Sequence, residues 1–425
     1  MPSPRPWAAI AMATLALSGC ASAPPTGPPG EHAPEVAAAD PAMARGAKGE
    51  VTICGVRDTG VFEHLTEEFN ARGNGLSAHY VEIGQDTDST RAQALQRLEG
   101  GSSECDIYIT DVTWTSEWAT QGWLLDHTKL TEVRRGELLP NPLETVRYDG
   151  RDWAVPFFTN AGLLFYRDDR VPEPKTWSEV YAQAGQDRSR RVEMQAKRYE
   201  GLTVNFLELL YSAGGSVIDE SGRVTVDSPE TRKVLRLMTQ GLENGAIDRA
   251  CLTYDEDYAR RAYESGAAGY LRQWPSAHKL VKQTDTGPVT KAAPLPAFDE
   301  HSKPAAVLGG WNLAIAAGSD NPGAAVALVD FATSAEFQRQ MVLRSTQAPV
   351  YAALYDDPQV RAELPFIPQL KESLLQAKPR PVSPVYAQVS RAIYNNVYAV
   401  ISGQTDVESG VREMAADVEK AQETY

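Results

Sequence analysis

From residue 51 the chain alternates strand and helix with a regularity that few folds accommodate. VTICGV, LSAHYVEI and DIYITDV are short apolar runs rich in β-branched residues, and between them VFEHLTEEFNAR and STRAQALQRLEG carry apolar residues at helical spacing. Strands and helices alternating in this way predict a parallel sheet covered by helices on both faces. A short helix, TSEWATQG, closes this α/β lobe.

Residues 140–170 break the rhythm. In LETVRYDGRDWAVPFFTNAGLLFYRDD the pair Asp149-Gly150 marks a hairpin, followed by strands through WAVPFF and GLLFYR. A second α/β region then begins at PKTWSEVYAQAG, where Thr176 and Glu179 form a T-x-x-E capping box. It continues through the segment RVEMQAK, the helix GLTVNFLELLYSAGG, the strand RVTV and the helix SPETRKVLRLMTQGLENG, with Ser228 as N-cap and Pro229 at the first helical position. The helix DEDYARRAYESG and the strand AAGYLRQW precede a Pro-rich segment, KAAPLPAFDEHSKPAAVLGGWNLAIA, that reads as a crossing back towards the first lobe. The remainder is helical.

Ahead of the first lobe, Ala8 to Leu17 form an apolar segment shorter than the ~20 residues a bilayer crossing needs. After Arg5 it reads as a signal-peptide core. It ends in Leu17-Ser18-Gly19-Cys20, which resembles a bacterial lipobox. The resemblance implies a signal peptide over 1–19 and a diacylglyceryl group on Cys20, two chains that suffice for stable membrane attachment. Residues 20–48, rich in Ala, Pro and Gly, are expected to form a lipidated disordered stalk.

With 56 acidic against 41 basic residues and no Lys/Arg stripe, nucleic acid is not an expected partner. Cys54, Cys105 and Cys251 lack CxxC spacing and paired histidines, so neither zinc nor another metal is expected. Cys54 and Cys105 are either a disulfide or two buried thiols, and the sequence leaves both open.

The segments DIYITDVTWTSEWATQGWL, WAVPFFTNAGLLFYRDD with PKTWSEV, LELLYSAGGSVID, YESGAAGYLRQWP, VLGGWNLAIAAGSDNPGAAVALVDFAT and RPVSPVYAQVSRAIYNNV resemble, in order and spacing, the extracellular solute-binding proteins of ABC sugar importers. The likeness is to the maltose/trehalose-binding type, in particular the actinobacterial trehalose-binding lipoproteins. It implies a periplasmic-binding-protein-like fold of two α/β lobes with a central ligand cleft and a hinge. By this analogy lobe 1 spans 49–155 plus 307–335 and lobe 2 spans 156–306 plus 336–425, with crossings near Val155-Pro156, Ala306 and Ala335. The resemblance further implies a lipid-anchored, extracytoplasmic monomer that needs no cofactor. It would carry a sugar, trehalose or a related α-glucose disaccharide, to an ABC permease.

A sugar pocket needs a few directed polar groups and flat aromatic walls. Asp111 ends the strand ITD, where a carboxylate projects into the crevice at the carboxyl edge of a parallel sheet; the alternative is a turn cap. Asn160 beside the expected hinge offers amide donor and acceptor. Trp274 and Trp311 fall where sugar-binding relatives place stacking rings, although a tryptophan is more often core. Arg380, between two prolines, offers a forked guanidinium. Asp58 and Arg91 occupy places where relatives contact sugar. A different oligosaccharide or polar metabolite is the alternative ligand. A glycoside-processing enzyme is disfavoured because Asp111 has no evident second carboxylate partner and no nucleophile elbow, zinc helix or phosphate loop is present.

Overall fold

The computed structural model describes residues 36–57, 60–219 and 221–423. The signal peptide, Cys20 and Asp58 lie outside the described residues. Among the described residues no helix is long and apolar enough to cross a membrane.

The strands are β1 (Gly49–Val56), β2 (Leu76–Gly84), β3 (Ile107–Asp111), β4 (Arg147–Tyr148), β5 (Arg151–Asp152), β6 (Val155–Ala161), β7 (Leu163–Arg167), β8 (Val192–Glu193), β9 (Tyr270–Gln273), β10 (Thr290–Pro294), β11 (Leu308–Ile315) and β12 (Ala348–Pro349). They form a six-stranded sheet in the order β12-β6-β11-β3-β1-β2 and a four-stranded sheet in the order β10-β7-β9-β8. In the first, β1 runs parallel to β2 and β3, as the alternation predicts, while β11 is inserted antiparallel between β3 and β6. The third, two-stranded sheet is the expected hairpin, with Asp149 and Gly150 both at positive φ (47° and 74°), as a tight I′ turn requires.

Each large sheet has its own core. Ile53, Phe62, Phe69, Ile107, Leu313 and Phe337 belong to the first, while Phe165, Phe206, Met238, Leu271 and Ile393 belong to the second. Cys54 and Cys105 are joined by a disulfide (Cα–Cα 5.8 Å), settling the open pairing. β1 and β3 are neighbours, and tying them closes a loop over a separation of 51 residues, worth about 4 kcal/mol of unfolded-chain entropy. Ser228 caps Pro229–Glu243 as the sequence predicts, and Thr176 caps Trp177–Ala184 by accepting from Glu179 N, which is one half of the predicted capping box.

Four expectations shift. The stalk was expected to run to residue 48, yet the chain packs from Ala37 onward. Ala38 bridges Asp126, Ala39 is fully buried, and Asp40 caps the 3₁₀ turn Pro41–Ala44 while pairing with Lys129 at 2.6 Å. Small alanines, read as unable to build a core, fit against a surface that already exists. The first crossing lies at Gly162 rather than at Val155-Pro156, because all of β6 pairs with β11 and the second sheet starts at Leu163. The last lies beyond Ala335, since Ala335–Ser345 buries Phe337 and Met341 in the first core and β12 pairs with β6. RVTV is no strand: Val224 makes a single antiparallel bridge to Ile218.

Candidate functional site

Where β6, β11 and β3 lie side by side, the register sets Gly309 opposite Asn160 and Trp311 opposite Asp111. This edge of the first sheet faces segments of the second lobe across a cavity of about 220 Å³, lined among others by Phe158, Tyr199, Glu200, Glu256, Gln347 and Arg380. Asp111, Asn160, Trp274, Trp311 and Arg380 all line it. Arg91 does not. Its guanidinium is committed to Glu117, with Nε donating to Oε2 at 3.0 Å, and it lines an adjoining crevice with Tyr386 and Ser390.

Arg380 ties the two sides together. Its Nη2 donates to Asp111 Oδ1 at 2.9 Å and its Nη1 to Glu200 Oε1 at 2.6 Å, and all three side chains are buried. Burial alone would weaken the guanidinium's hold on its proton, but Asp111 and Glu200 outweigh it and raise the pKa above its ordinary value. Asp111 Oδ1 also accepts from Thr113 N (3.0 Å) and Thr113 Oγ1 (2.7 Å), whereas Oδ2 has no hydrogen-bond partner among the described residues. Glu200 opens the helix Glu200–Ser212, where the positive end of the helix dipole favours a carboxylate. Tyr386 Oη donates to its Oε1 at 2.6 Å, and Ser390 Oγ donates to Oε2. Glu256 likewise opens a helix, Glu256–Glu264, and accepts from Tyr199 Oη at 2.8 Å. Burial pushes the Glu256 carboxyl up against the opposing effect of that hydrogen bond.

Three buried polar atoms on the lining have no partner among the described residues: Asn160 Oδ1, Gln347 Oε1 and Arg380 Nε. Leaving such atoms unsatisfied costs about 1–3 kcal/mol each, and here two acceptors and one donor border the same space. Arg380 also lines a larger cavity of about 450 Å³ with Thr113, Tyr148 and Val382, but that cavity has neither tryptophan and neither of the two unsatisfied amide oxygens.

The aromatic walls come from different lobes. Trp311 meets Trp114 edge-on at 5.7 Å, and Trp114 stacks on Trp118 at 5.2 Å. Trp274 sits just beyond β9 and approaches β11 so closely that a Cβ at Gly309 would fall 3.0 Å from its Cη2 and Cζ3.

Sequence reasoning missed Glu200, Tyr199, Glu256 and Gln347. Glu256 belongs to the acidic run at 254–258, an ordinary charged helix start with Asp255 as N-cap that also turns Glu256 into the cavity.

The bacterial extracellular solute-binding protein family matches residues 58–339. A probable ABC transporter-binding protein of Deinococcus radiodurans is 34% identical over 357 residues, covering 78% of this chain and 83% of that protein. The structure of maltose-bound T. maritima MalE3 superposes with a TM-score of 0.83 at 31% identity, covering 87% of this chain and 99% of that one. The GacH receptor of Streptomyces glaucescens, at 23% identity and a TM-score of 0.79, covers 89% of this chain and 99% of its own, and shares the fold. These relatives are binding proteins, and their fold is the two-lobed α/β arrangement described above. With a family match over most of the chain and a relative above 30% identity over most of both lengths, the chain belongs to the bacterial extracellular solute-binding proteins that serve ABC transporters.

Proposed function

We propose that this chain captures a sugar, an α-linked glucose disaccharide such as trehalose or maltose, between its lobes and delivers it to an ABC importer. The observation that carries the reading is the set of unsatisfied atoms Asn160 Oδ1, Gln347 Oε1 and Arg380 Nε around a cavity walled by Trp274 and Trp311. A hydroxyl both donates and accepts, so neighbouring sugar hydroxyls would satisfy acceptor and donor alike, while the C–H faces of the rings would lie on indole. Asp111, with Oδ2 still free of a described partner, and Glu256 would take further hydroxyl protons. A maltose-bound relative supports the α-glucoside class.

In this reading Asp58 contacts the sugar, as the resemblance implies, and Arg91 stays outside the pocket. The lobes close about crossings near Gly162, near Val307 and beyond β12, and the protein works as a monomer tethered through Cys20. Loss of detergent-phase partitioning in Cys20→Ala checks the tether.

The test of the function is a thermal-shift panel on the full chain with trehalose, maltose, mannitol and tagatose. Binding raises the stability of the folded state by RT ln(1 + [L]/Kd), so melting should rise with concentration for the α-glucosides first. A panel in which no saccharide moves the melt overturns the proposal.

A further inference from the structure

Arg272 lies in β9, and Trp274 follows it by two residues, just beyond the strand's end. The guanidinium carbon of Arg272 lies 4.2 Å from the centroid of the Trp274 ring, within cation–π range. That guanidinium is almost wholly buried and is gripped on every side. Its Nε donates to Glu208 Oε2 at 2.8 Å, Nη2 to Glu208 Oε1 at 2.5 Å and Nη1 to Gln195 Oε1 at 3.3 Å. Gln195 is itself fixed, because its Nε2 donates to Arg272 O at 3.2 Å and its Oε1 accepts from Asn205 Nδ2 at 3.1 Å. Asn205 and Glu208 stand three apart on the helix Glu200–Ser212 and so address the same side. The fold also makes room for the pair. Gly162 lies where the chain passes from β6 to β7, and a Cβ there would fall 2.3 Å from Glu208 Oε1.

Stability of the lobe does not account for this construction. Apolar side chains of similar volume fill a core as well as a buried ion pair or better, since the desolvation of two charges offsets most of their attraction. What apolar filling does not provide is a flat, immobile cation against one face of an indole. A forked Arg–carboxylate pair has fixed geometry, and the guanidinium it fixes is the one that lies over the Trp274 ring.

We infer that Arg272 is a positioning residue for ligand binding: locked by Glu208 and Gln195, it holds the Trp274 indole in one orientation, one face covered by guanidinium and the ring directed at the cavity. The ring is thereby ordered before ligand arrives, and affinity gains from ordering that binding no longer has to supply. The effect on affinity rests on the sugar reading above; the effect on the ring does not.

The test uses the full chain labelled with fluorotryptophan, the Trp274 resonance being assigned by its loss in Trp274→Phe. Arg272→Met with Glu208→Met removes the pair together and strands no charge. The ligand-free melt should stay close to the parent's, the Trp274 fluorine resonance should shift and broaden or split, and Kd for trehalose or maltose should rise about three- to thirtyfold, the span of a cation–π contact. In a Trp274→Ala background the same double change should leave Kd nearly unaltered. Arg272→Lys, which keeps the charge paired but loses the plane, should fall between parent and double variant, and serves alone if the double variant does not fold. A Trp274 resonance unchanged in both variants overturns the inference, as does a Kd change of equal size with and without the ring. If neither sugar binds the parent chain, the proposed function fails, and the fluorine spectrum still decides the role of Arg272.

Discussion

The two lobes present the same residue type to the cleft and support it by opposite means. Trp311, in the first lobe, leans on other aromatic rings: Trp114 edge-on, then Trp118 stacked behind it, then Tyr108 at a right angle to Trp118. Trp274, in the second, leans on a guanidinium held by a buried carboxylate. Dispersion between rings is spread over many weak contacts and tolerates the loss of a few. An ion pair concentrates its contribution in two groups, each of which is a liability without the other. The first lobe should therefore degrade gradually under substitution and the second abruptly.

The largest effect expected from that difference is at Glu208. Glu208→Ala leaves Arg272 buried without its counter-ion, which should destabilise the ligand-free protein by about 3–5 kcal/mol. The matching change in the first lobe is Trp118→Phe. It keeps a ring in the stack, and since Trp118 Nε1 has no hydrogen-bond partner among the described residues, it should cost only about 1–2 kcal/mol for the smaller side chain and the void. Denaturant titration of both variants measures the contrast. Equal losses would break the comparison.

A somewhat smaller effect comes from acid and belongs to the first lobe. His127 is fully buried, and burial pushes its imidazole down from 6.5 to about 4. Its Nε2 accepts from Ile315 N at 2.9 Å, so the proton sits on Nδ1 and is donated to Leu125 O at 2.7 Å. A second proton would remove the acceptor that Ile315 uses. The unfolded chain binds a proton near 6.5 and the folded one only near 4, so stability is full above 6.5 and falls as pH drops through that window, by about 3 kcal/mol in all. Melting between pH 7.5 and 4.5 should show this slope in the parent and a flatter one in His127→Gln. Parallel slopes would remove His127 from the first lobe's acid response.

The same contrast explains what the sequence disclosed. Alternating periodicity exposed β1 to β3 and their helices, and Asp111 was legible because it stands at the carboxyl end of a strand that runs parallel to β1. Trp274 and Trp311 were legible by resemblance. Nothing local marked β11 as the strand that separates β3 from β6, because that pairing joins residues some two hundred positions apart and depends on the whole sheet. Glu200 and Glu256 were hidden for a related reason. Each opens a helix, where an acidic residue is ordinary, and only tertiary packing brings Arg380 to one and Tyr199 to the other. Arg272 read as one more residue of LRQW until Glu208 was placed beside it.

The walls themselves should respond in affinity more than in folding. Trp274→Ala and Trp311→Ala are each expected to weaken saccharide binding about ten- to hundredfold, as a stacking surface is lost from a partly exposed ring. Calorimetry gives the affinity and ligand-free melting gives the control. A lowered melt with unchanged affinity would return that ring to its lobe's core, and if this happened for one lobe only, the walls would differ in purpose as well as in support.

The smallest effect expected is at the mouth, where the lobes meet through charges that neither lobe has buried. Lys197 Nζ lies 3.8 Å from Asp86 Oδ2 of the first lobe and 4.0 Å from Asp255 Oδ2 of the second, with its side chain 42% exposed. At these separations, and with water reaching the ammonium, each pair is worth between nothing and about 1 kcal/mol. Asp86 is already engaged as the N-cap of Thr87–Glu99, its Oδ1 accepting from Ser89 N at 2.8 Å, so its position does not depend on the lysine. Lys197→Met should therefore change saccharide Kd by less than about fivefold at low salt. The change should vanish near 0.5 M salt, where the Debye length is only about 4–5 Å. A change that is large, or that survives high salt, would mean that this mouth contact rather than the buried Arg380 bridge governs how the lobes meet.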